Sequence, residues 1–397
     1  MNTVRYERVY AEVSLDNLHY NFENIKNAVN PKAKLMAVIK TDGYGHGAIP
    51  IAKELSKDER LYGFAVATAD EAFILRKAGI TKDILILGYT FPSDYEEMVR
   101  ENISFTVFKE DMAREISDDA CRLSSEGKEY KAKIHLKLDT GMGRIGIIPS
   151  KESIPFVKML LSLPGISLTG MFSHFAKADE EDPEPTRVQF DKYIGFAELI
   201  KKELDYDIPI KHICNSAGII EFPEYNLDMA RAGIILYGLW PSSEVSKEKV
   251  KLKPLLSLYS KIVYIKEIKE ETGISYGGTF KAKPGMKVAT VPVGYGDGYP
   301  RMLSNKGYVL VKGRKCPILG RVCMDQFMID VSSVDAHEGD RVTLIGKDGD
   351  ETITMEDLGS LSGRFNYELA CDLGKRIPRV YILNGEVVLT KDYNNDF

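Results

Sequence analysis

Nine short apolar, β-branched runs recur through the first 240 residues: VYAEVSL (9–15), KLMAVIK (34–40), LYGFAVAT (61–68), DILILGY (83–89), ISFTVF (103–108), KIHLKLD (133–139), LTGMFSHF (168–175), IKHICNS (210–216) and ARAGIILYG (230–238). Several are apolar throughout rather than alternating, the pattern of strands buried on both faces of a parallel sheet. Helical patterns separate them. Ser14 and Asp16 are N-cap candidates for a helix carrying Leu15, Leu18, Phe22, Ile25 and Val29, and Phe190, Ile194, Ala197, Ile200 and Leu204 repeat that spacing. About eight strand-then-helix units over this length predict an α/β fold, a TIM-like (β/α)8 barrel. A doubly wound sheet is the alternative.

Residues 241–254 (PSSEVSKEKVKLKP) are polar, charged and bounded by proline, as a linker is. Beyond them the texture changes to short alternating strands with glycine turns: YSKIVYIKEI, MKVATVPVGY, GYVLVKG, FMIDVSSV and RVTLIG. Asn384-Gly385 between YIL and EVVLT signals a two-residue hairpin, and Thr354 with Asp357 three residues on signals a capping box. The expected organisation is a barrel domain over 1–240 and a mainly antiparallel β C-terminal domain over 241–397.

Composition narrows the function. Lys and Arg total 53 against 58 Asp and Glu, a net charge of -5, without the basic field that nucleic-acid binding needs. The opening segment carries charges at Arg5, Glu7 and Arg8 and no apolar core, unlike a secretory leader. No run approaches the ~18 apolar residues of a membrane span. Cys121, Cys214, Cys316, Cys323 and Cys371 scatter without CxxC pairs, like reduced thiols of a cytoplasmic protein. The six histidines form no ligand cluster, so no metal is expected.

In a barrel of this kind the active site lies at the C-terminal ends of the strands. Lys40 closes AVIK, Lys137 and Asp139 close HLKLD, His174 closes GMFSH, and Asn215-Ser216 close HICNS. Singly, each has a plain explanation: a strand-end lysine is ordinarily solvated, and His174 or His212 can be hydrogen-bonded core histidines. Their concentration at one end of one barrel is what points to function. Lys40 precedes TDGYGHG, whose glycines would let backbone approach a ligand closely. A desolvated lysine there can form a Schiff base with an aldehyde cofactor; the other use of such glycines is a phosphate cradle, with Tyr44 adding a phenolic hydrogen bond. Gly141, Gly143 and Gly146 in GMGRIG match a dinucleotide fingerprint, but IIPS follows where a helix should open. Arg144 in that loop reads better as a clamp for a carboxylate or phenolate.

AVIKTDGYGHG, KLDTGMGRIG, FSHFAKAD, NSAG, RAGIILYG, ISYGGTF, GYGDGY, GRVCMDQ and NYELACDLGKRIPRVY, in this order along essentially the whole chain, closely resemble the alanine racemases. The resemblance implies a homodimer with shared active sites that binds pyridoxal 5'-phosphate (PLP) as a Schiff base to Lys40 and racemises L- and D-alanine with two bases. Lys40 is one base. Tyr276 of ISYGG matches the other, on the opposite face of the substrate and supplied by the partner subunit. Tyrosine titrates near ~10 unperturbed, so positive groups must acidify it; by likeness His174 lies beside it with Arg231 behind.

Arg231 matches an arginine that meets the pyridine nitrogen of PLP, where many PLP enzymes place an acid. The cofactor phosphate would meet Tyr44, Ser216, Gly233, Ile234 and Tyr367, and Arg144 the phenolate and the substrate carboxylate. Lys137 matches a lysine often carbamylated in the family, which would give Arg144 an anionic partner. Tyr295, Met324 and Asp325 match positions lining the partner's substrate access. The sequence departs mildly from the common pattern at Thr41 and Gly43 in KTDGYGHG and at Gly296 in GYGDG, and none of these changes removes a functional side chain. The implied role is supply of D-alanine for peptidoglycan. A serine or broad-specificity racemase is the nearest rival, and Tyr367, where serine-racemising relatives tend to carry Asn, favours alanine. A PLP decarboxylase would carry an acid in place of Arg231, and a non-catalytic PLP-binding barrel would lack the domain that supplies Tyr276.

Overall fold

The computed structural model describes residues 6–125 and 127–393; Arg5, part of the segment read for a leader, lies outside the described residues. Two compact units result: His19–Gly43 with Ala48–Leu252, and Met1–Leu18 with Tyr44–Gly47 and Lys253–Phe397.

The opening strand β1 (Val9–Ser14) is followed by eight strands of the first unit: β2 (Lys34–Val38), β3 (Leu61–Val66), β4 (Asp83–Ile86), β5 (Ile103–Val107), β6 (Ala132–Lys137), β7 (Ile166–Phe172), β8 (Ile210–His212) and β9 (Met229–Ala232). They form one parallel sheet in the order β8-β7-β6-β5-β4-β3-β2-β9. The Arg231 N–H donates to the Cys214 carbonyl at 3.1 Å across the two ends, so the sheet is a nearly closed barrel with helices between its strands. Runs such as ISFTV of β5, buried at every position, explain the lack of alternation: both faces are covered. The doubly wound alternative fails because the strand order runs once around without reversal.

The first of the nine runs does not enter the barrel. In β1 the burial alternates, with Val9, Ala11 and Val13 inside and Tyr10, Glu12 and Ser14 part-exposed, as in a sheet with one buried face. It joins the second unit, whose strands are β10 (Leu256–Lys261), β11 (Tyr264–Glu267), β12 (Thr272–Ile274), β13 (Phe280–Ala282), β14 (Lys287–Val291), β15 (Tyr308–Val311), β16 (Arg314–Leu319), β17 (Phe327–Asp330), β18 (Arg341–Asp348), β19 (Glu351–Ile353), β20 (Arg379–Leu383) and β21 (Glu386–Lys391). An eleven-stranded sheet takes all of these except β12 and β13, which pair with each other. Its pairings are antiparallel apart from β1 with β20.

Local signals fall where the sequence puts them. Ser14 Oγ accepts the Asn17 N–H at the start of the helix Leu15–Ala28. Thr354 and Asp357 exchange two hydrogen bonds, 3.0 and 2.9 Å, ahead of Met355–Ser362. Asn384 and Gly385 turn β20 into β21 with φ of 53° and 76°. Residues 241–254 contain no regular element. No helix among the described residues is long and apolar enough to cross a membrane.

Candidate active site

Lys40 follows β2 and opens a turn of unusual hand. Thr41, Asp42 and Gly43 have φ of 54°, 48° and 64° with ψ near 50°. A left-handed backbone costs about 1–2 kcal/mol for each residue with a side chain, and β-branched Thr41 fits it worst. Two carboxylates brace the turn. Glu71 accepts the Thr41 N–H at 2.6 Å and the Ala67 N–H at 2.7 Å, while Asp42 accepts the Ala48 N–H at 2.8 Å. Glu71 escapes sequence reading because it looks like an ordinary first-turn acid of the helix Ala69–Lys77.

The glycines after this turn are required by close approach of the protein itself. A Cβ on Gly45 would lie 2.0 Å from the Ala370 carbonyl oxygen, and one on Gly47 1.8 Å from the Tyr381 hydroxyl. They admit protein. The Gly45 carbonyl in turn accepts from Arg379 at 3.0 Å. GMGRIG likewise opens no helix: Gly146 lets the loop fold back on Leu138 and Asp139, and the Ile147 N–H returns to the Lys137 carbonyl at 3.0 Å. Asp139 accepts the N–H groups of Gly141, Met142 and Gly143, each at 3.0 Å. These bonds outweigh its partial burial and hold its carboxyl below the usual range. Arg144 stands exposed on the loop so shaped.

The barrel's polar centre is Arg231, 2% exposed. Its guanidinium donates to the carbonyls of Ser173 at 2.8 Å and Ile213 at 3.0 Å, meets His212 Nδ1 at 2.7 Å and His174 Nδ1 at 3.3 Å, and packs 5.3 Å above the Phe172 ring. Burial lowers its pKa to about 10, so it stays charged at neutral pH. An arginine only donates, so His212 Nδ1 must accept. His212 Nε2–H then donates to His135 Nδ1, 2.9 Å away. Both rings are buried, and burial, reinforced by the Arg231 charge, lowers both pKa values: His135 to about 3, His212 well below its ordinary value. The two neutral imidazoles thus keep Arg231 oriented as a donor. His135 gives no sequence signal beyond a histidine inside an apolar strand.

His174 is held neutral by desolvation and then by the positive field of Arg231 first, with Arg144, Lys137 and Lys40 acting in the same direction. Lys137 is 2% exposed; its Nζ donates to the Leu138 carbonyl at 2.6 Å and lies 5.3 Å from the Phe172 ring centre. Burial, then Arg231, lowers its pKa to about 7. Ser216, at the start of the helix Ser216–Glu221, accepts the Gly233 N–H at 3.0 Å, and Gly233 leads into the turn Ile234–Tyr237.

The second unit gathers the remaining residues in two groups. Tyr44 and Tyr367 meet edge to face at 5.9 Å, and Tyr367 stacks on Phe365 at 4.5 Å. In the other group, the Tyr295 N–H donates to the Cys323 carbonyl at 3.1 Å and the Gly296 N–H to the Met324 carbonyl at 2.8 Å. Arg376 donates to Asp325 at 2.9 Å, passing where a Cβ on Gly296 would lie 2.5 Å from its guanidinium. Gly296, the departure from the commoner alanine, therefore lies directly beneath the end of this flexible, part-exposed arginine. Tyr276, Tyr295 and Met324 are 71%, 42% and 53% exposed.

Residues 13–241 match the family described as alanine racemase, N-terminal domain, and 255–381 the alanine racemase, C-terminal domain. The chain belongs to the alanine racemase family. It is 46% identical to an alanine racemase of Clostridium tetani, over 97% of this chain and 98% of the relative. Among solved structures, an alanine racemase of Clostridium difficile 630 superposes with a TM-score of 0.93 at 41% identity, covering 98% and 99% of the two chains. One from Bacillus anthracis with bound L-Ala-P gives 0.90 at 37% identity and covers both chains fully. The protein is accordingly an isomerase of the alanine racemase type.

Proposed function

We propose that this protein works with PLP and two bases, Lys40 and Tyr276, acting on opposite faces of the substrate Cα. The observation that carries the reading is Arg231, a permanently charged guanidinium locked in place by two carbonyls and two neutral histidines, where an acid-assisted PLP enzyme would hold a carboxylate. The donor chemistry suits the cofactor: an amine at Lys40, Arg231 for its ring nitrogen, and for its phosphate the Ser216 hydroxyl, itself held by the Gly233 N–H at 3.0 Å, with the Ile234 N–H and, as the family likeness implies, the phenols of Tyr44 and Tyr367. Bound PLP supplies stabilisation of negative charge at the substrate Cα. Arg231 cannot hand over a proton, so that charge spreads less and the proton returns quickly.

Arg144 orients the substrate carboxylate. Lys40 Nζ and Tyr276 Oη each take the α-proton from one enantiomer and give one to the other, so the residues exchange roles with the direction of reaction. Tyr295, Met324 and Asp325 bound the methyl group, and Tyr367, backed by Phe365, favours alanine over serine. The exposure of Tyr276, Tyr295 and Met324 supports a homodimer in which each barrel works with the C-terminal domain of its partner. None of the five cysteines is in a disulfide, which suits a cytoplasmic enzyme supplying D-alanine for peptidoglycan.

The purified protein should absorb near ~420 nm, borohydride should fix the cofactor to the Lys40 peptide, and D-amino-acid oxidase should report racemisation of L-alanine well ahead of L-serine. Cofactor fixed at Lys40 without racemisation would overturn the reading in favour of a PLP carrier, and equal rates on serine would overturn the specificity.

Lys137, with a pKa of about 7, is largely a neutral amine above that pH. It can add CO2, releasing a proton and leaving an anionic carbamate beside Arg144. Labelled bicarbonate should therefore yield a carbamate resonance that Lys137→Gln lacks. In CO2-free buffer the unfolded chain holds a proton on this lysine that the folded one has lost, from about pH 7 up to the ordinary lysine value of ~10.4. Stability should rise with pH across that window, and Lys137→Gln should flatten the rise. A wild-type slope unchanged by the substitution would show that Lys137 is not the group concerned.

A further inference from the structure

We propose that Ser275 is a positioning residue for Tyr276: a serine in a glycine-only conformation, tethered by its own hydroxyl, that aims the adjacent phenol. The inference rests on the two-base reading above. Tyr276 sits in the turn between β12 and β13 and is 71% exposed in its own chain, so packing within that chain does little to direct its ring toward the partner. Direction must come from the backbone that precedes it. There Ser275 has φ 63° and ψ -175°, a region that residues with a side chain essentially never occupy unless their surroundings impose it, and one that collects at functional sites. The turn continues through Gly277 at φ 73° and Gly278 at φ 50°, where glycine meets the same demand without strain.

The surroundings that impose it are visible. Ser275 Oγ donates to the Arg321 carbonyl at 2.6 Å and lies 3.3 Å from Cys323 Sγ. The loop carrying those two residues presses against the turn: a Cβ on Gly320, itself at φ 74°, would lie 2.5 Å from the Ile274 carbonyl oxygen and 2.9 Å from Ser275 Cβ. The same loop takes the Tyr295 N–H on Cys323 and the Gly296 N–H on Met324. One segment, residues 320–325, therefore sets Tyr276 in register with Tyr295, Met324 and Asp325. Glycine at 275 would relieve the strain and lose the tether. Serine keeps a strained residue where the tether can hold it.

Two substitutions separate these effects. Ser275→Ala keeps the strain and removes the tether, so the backbone should relax and carry Tyr276 away. Ser275→Gly also lacks the hydroxyl but tolerates the native φ and ψ. The expected order of kcat/KM is wild type, then Gly, then Ala, with Ala below Gly by about tenfold. Glycine outperforming alanine is the reverse of the usual effect of added flexibility. The second readout is the primary isotope effect with α-deuterated alanine. In both variants it should rise for the enantiomer whose proton Tyr276 removes and fall for the other, because only one of two proton transfers is slowed. Ser275→Gly decides this alone if Ser275→Ala does not fold. Isotope effects that stay as in wild type, or alanine equal to or better than glycine, would overturn the proposal. Tyr276→Phe is the control: if it racemises normally the two-base reading has failed, whereas its inactivity beside unaltered Ser275 variants would sink the positioning role only.

Discussion

Mixed subunits of Lys40→Ala and Tyr276→Phe are expected to recover activity that neither variant has alone. Each substitution removes one of two obligatory proton-transfer groups, a loss of about 10²–10⁴-fold. If each site takes its lysine from one chain and its tyrosine from the other, a hybrid dimer holds one site with both groups intact and one with neither. Random re-association gives hybrids as half of all dimers, so recovery should approach about one quarter of wild type. The exposed phenol of Tyr276 is the reason to expect this. Hybrids verified by mass that stay inactive would place both bases in one chain.

The other large effect is expected at Arg231. Replacing it with glutamate puts an acceptor where the carbonyls of Ser173 and Ile213 also accept, so the carboxyl must be protonated to stay there. A proton donor would then stand in place of a guanidinium. Racemisation should fall by about 10²–10³-fold, while a band near ~500 nm and side transamination should grow, since charge leaving Cα would now be held longer. Melting should also move down, because the network around His212 and His135 loses its donor. Arg231→Gln removes the charge without offering an acid, and should lower activity without the new band. An Arg231→Glu protein that folds and shows unchanged spectra and partition would refute this account of the arginine.

The residues of the barrel mouth were legible because strand periodicity says which end of a strand is which. Lys40, Lys137, His174 and Ser216 all sit just past or at the ends of runs that a reader can mark, and the family motifs supplied Arg231 and Tyr276. What escaped was support. His135 lies inside β6 like any core residue, and only β7 and β8 beside it bring His212 within 2.9 Å. Glu71 is 30 residues from Thr41 in sequence. The glycines of GYGHG are legible as positions where a Cβ is excluded, but spacing does not say what excludes it, which is the Ala370 carbonyl at Gly45 and the Tyr381 hydroxyl at Gly47. The strand VYAEVSL shares the spacing of the barrel strands, but its alternation marks the one-faced sheet that it joins.

By itself the sequence determined what is set over a few residues or by a repeated period: the barrel and its strand ends, the Thr354 capping box, the Asn384-Gly385 hairpin and the chemistry-bearing residue types. These depend on local sterics, hydrogen bonds within a turn and the burial of a face. Tertiary structure alone decided the electrostatics and the strain: that Lys137 is a near-neutral amine, that His174, His212 and His135 are uncharged around a charged Arg231, and that Ser275 is held in a glycine's conformation. Desolvation and tethering depend on which distant segments close over a group, and a pKa or a backbone angle is a property of that enclosure rather than of the residue.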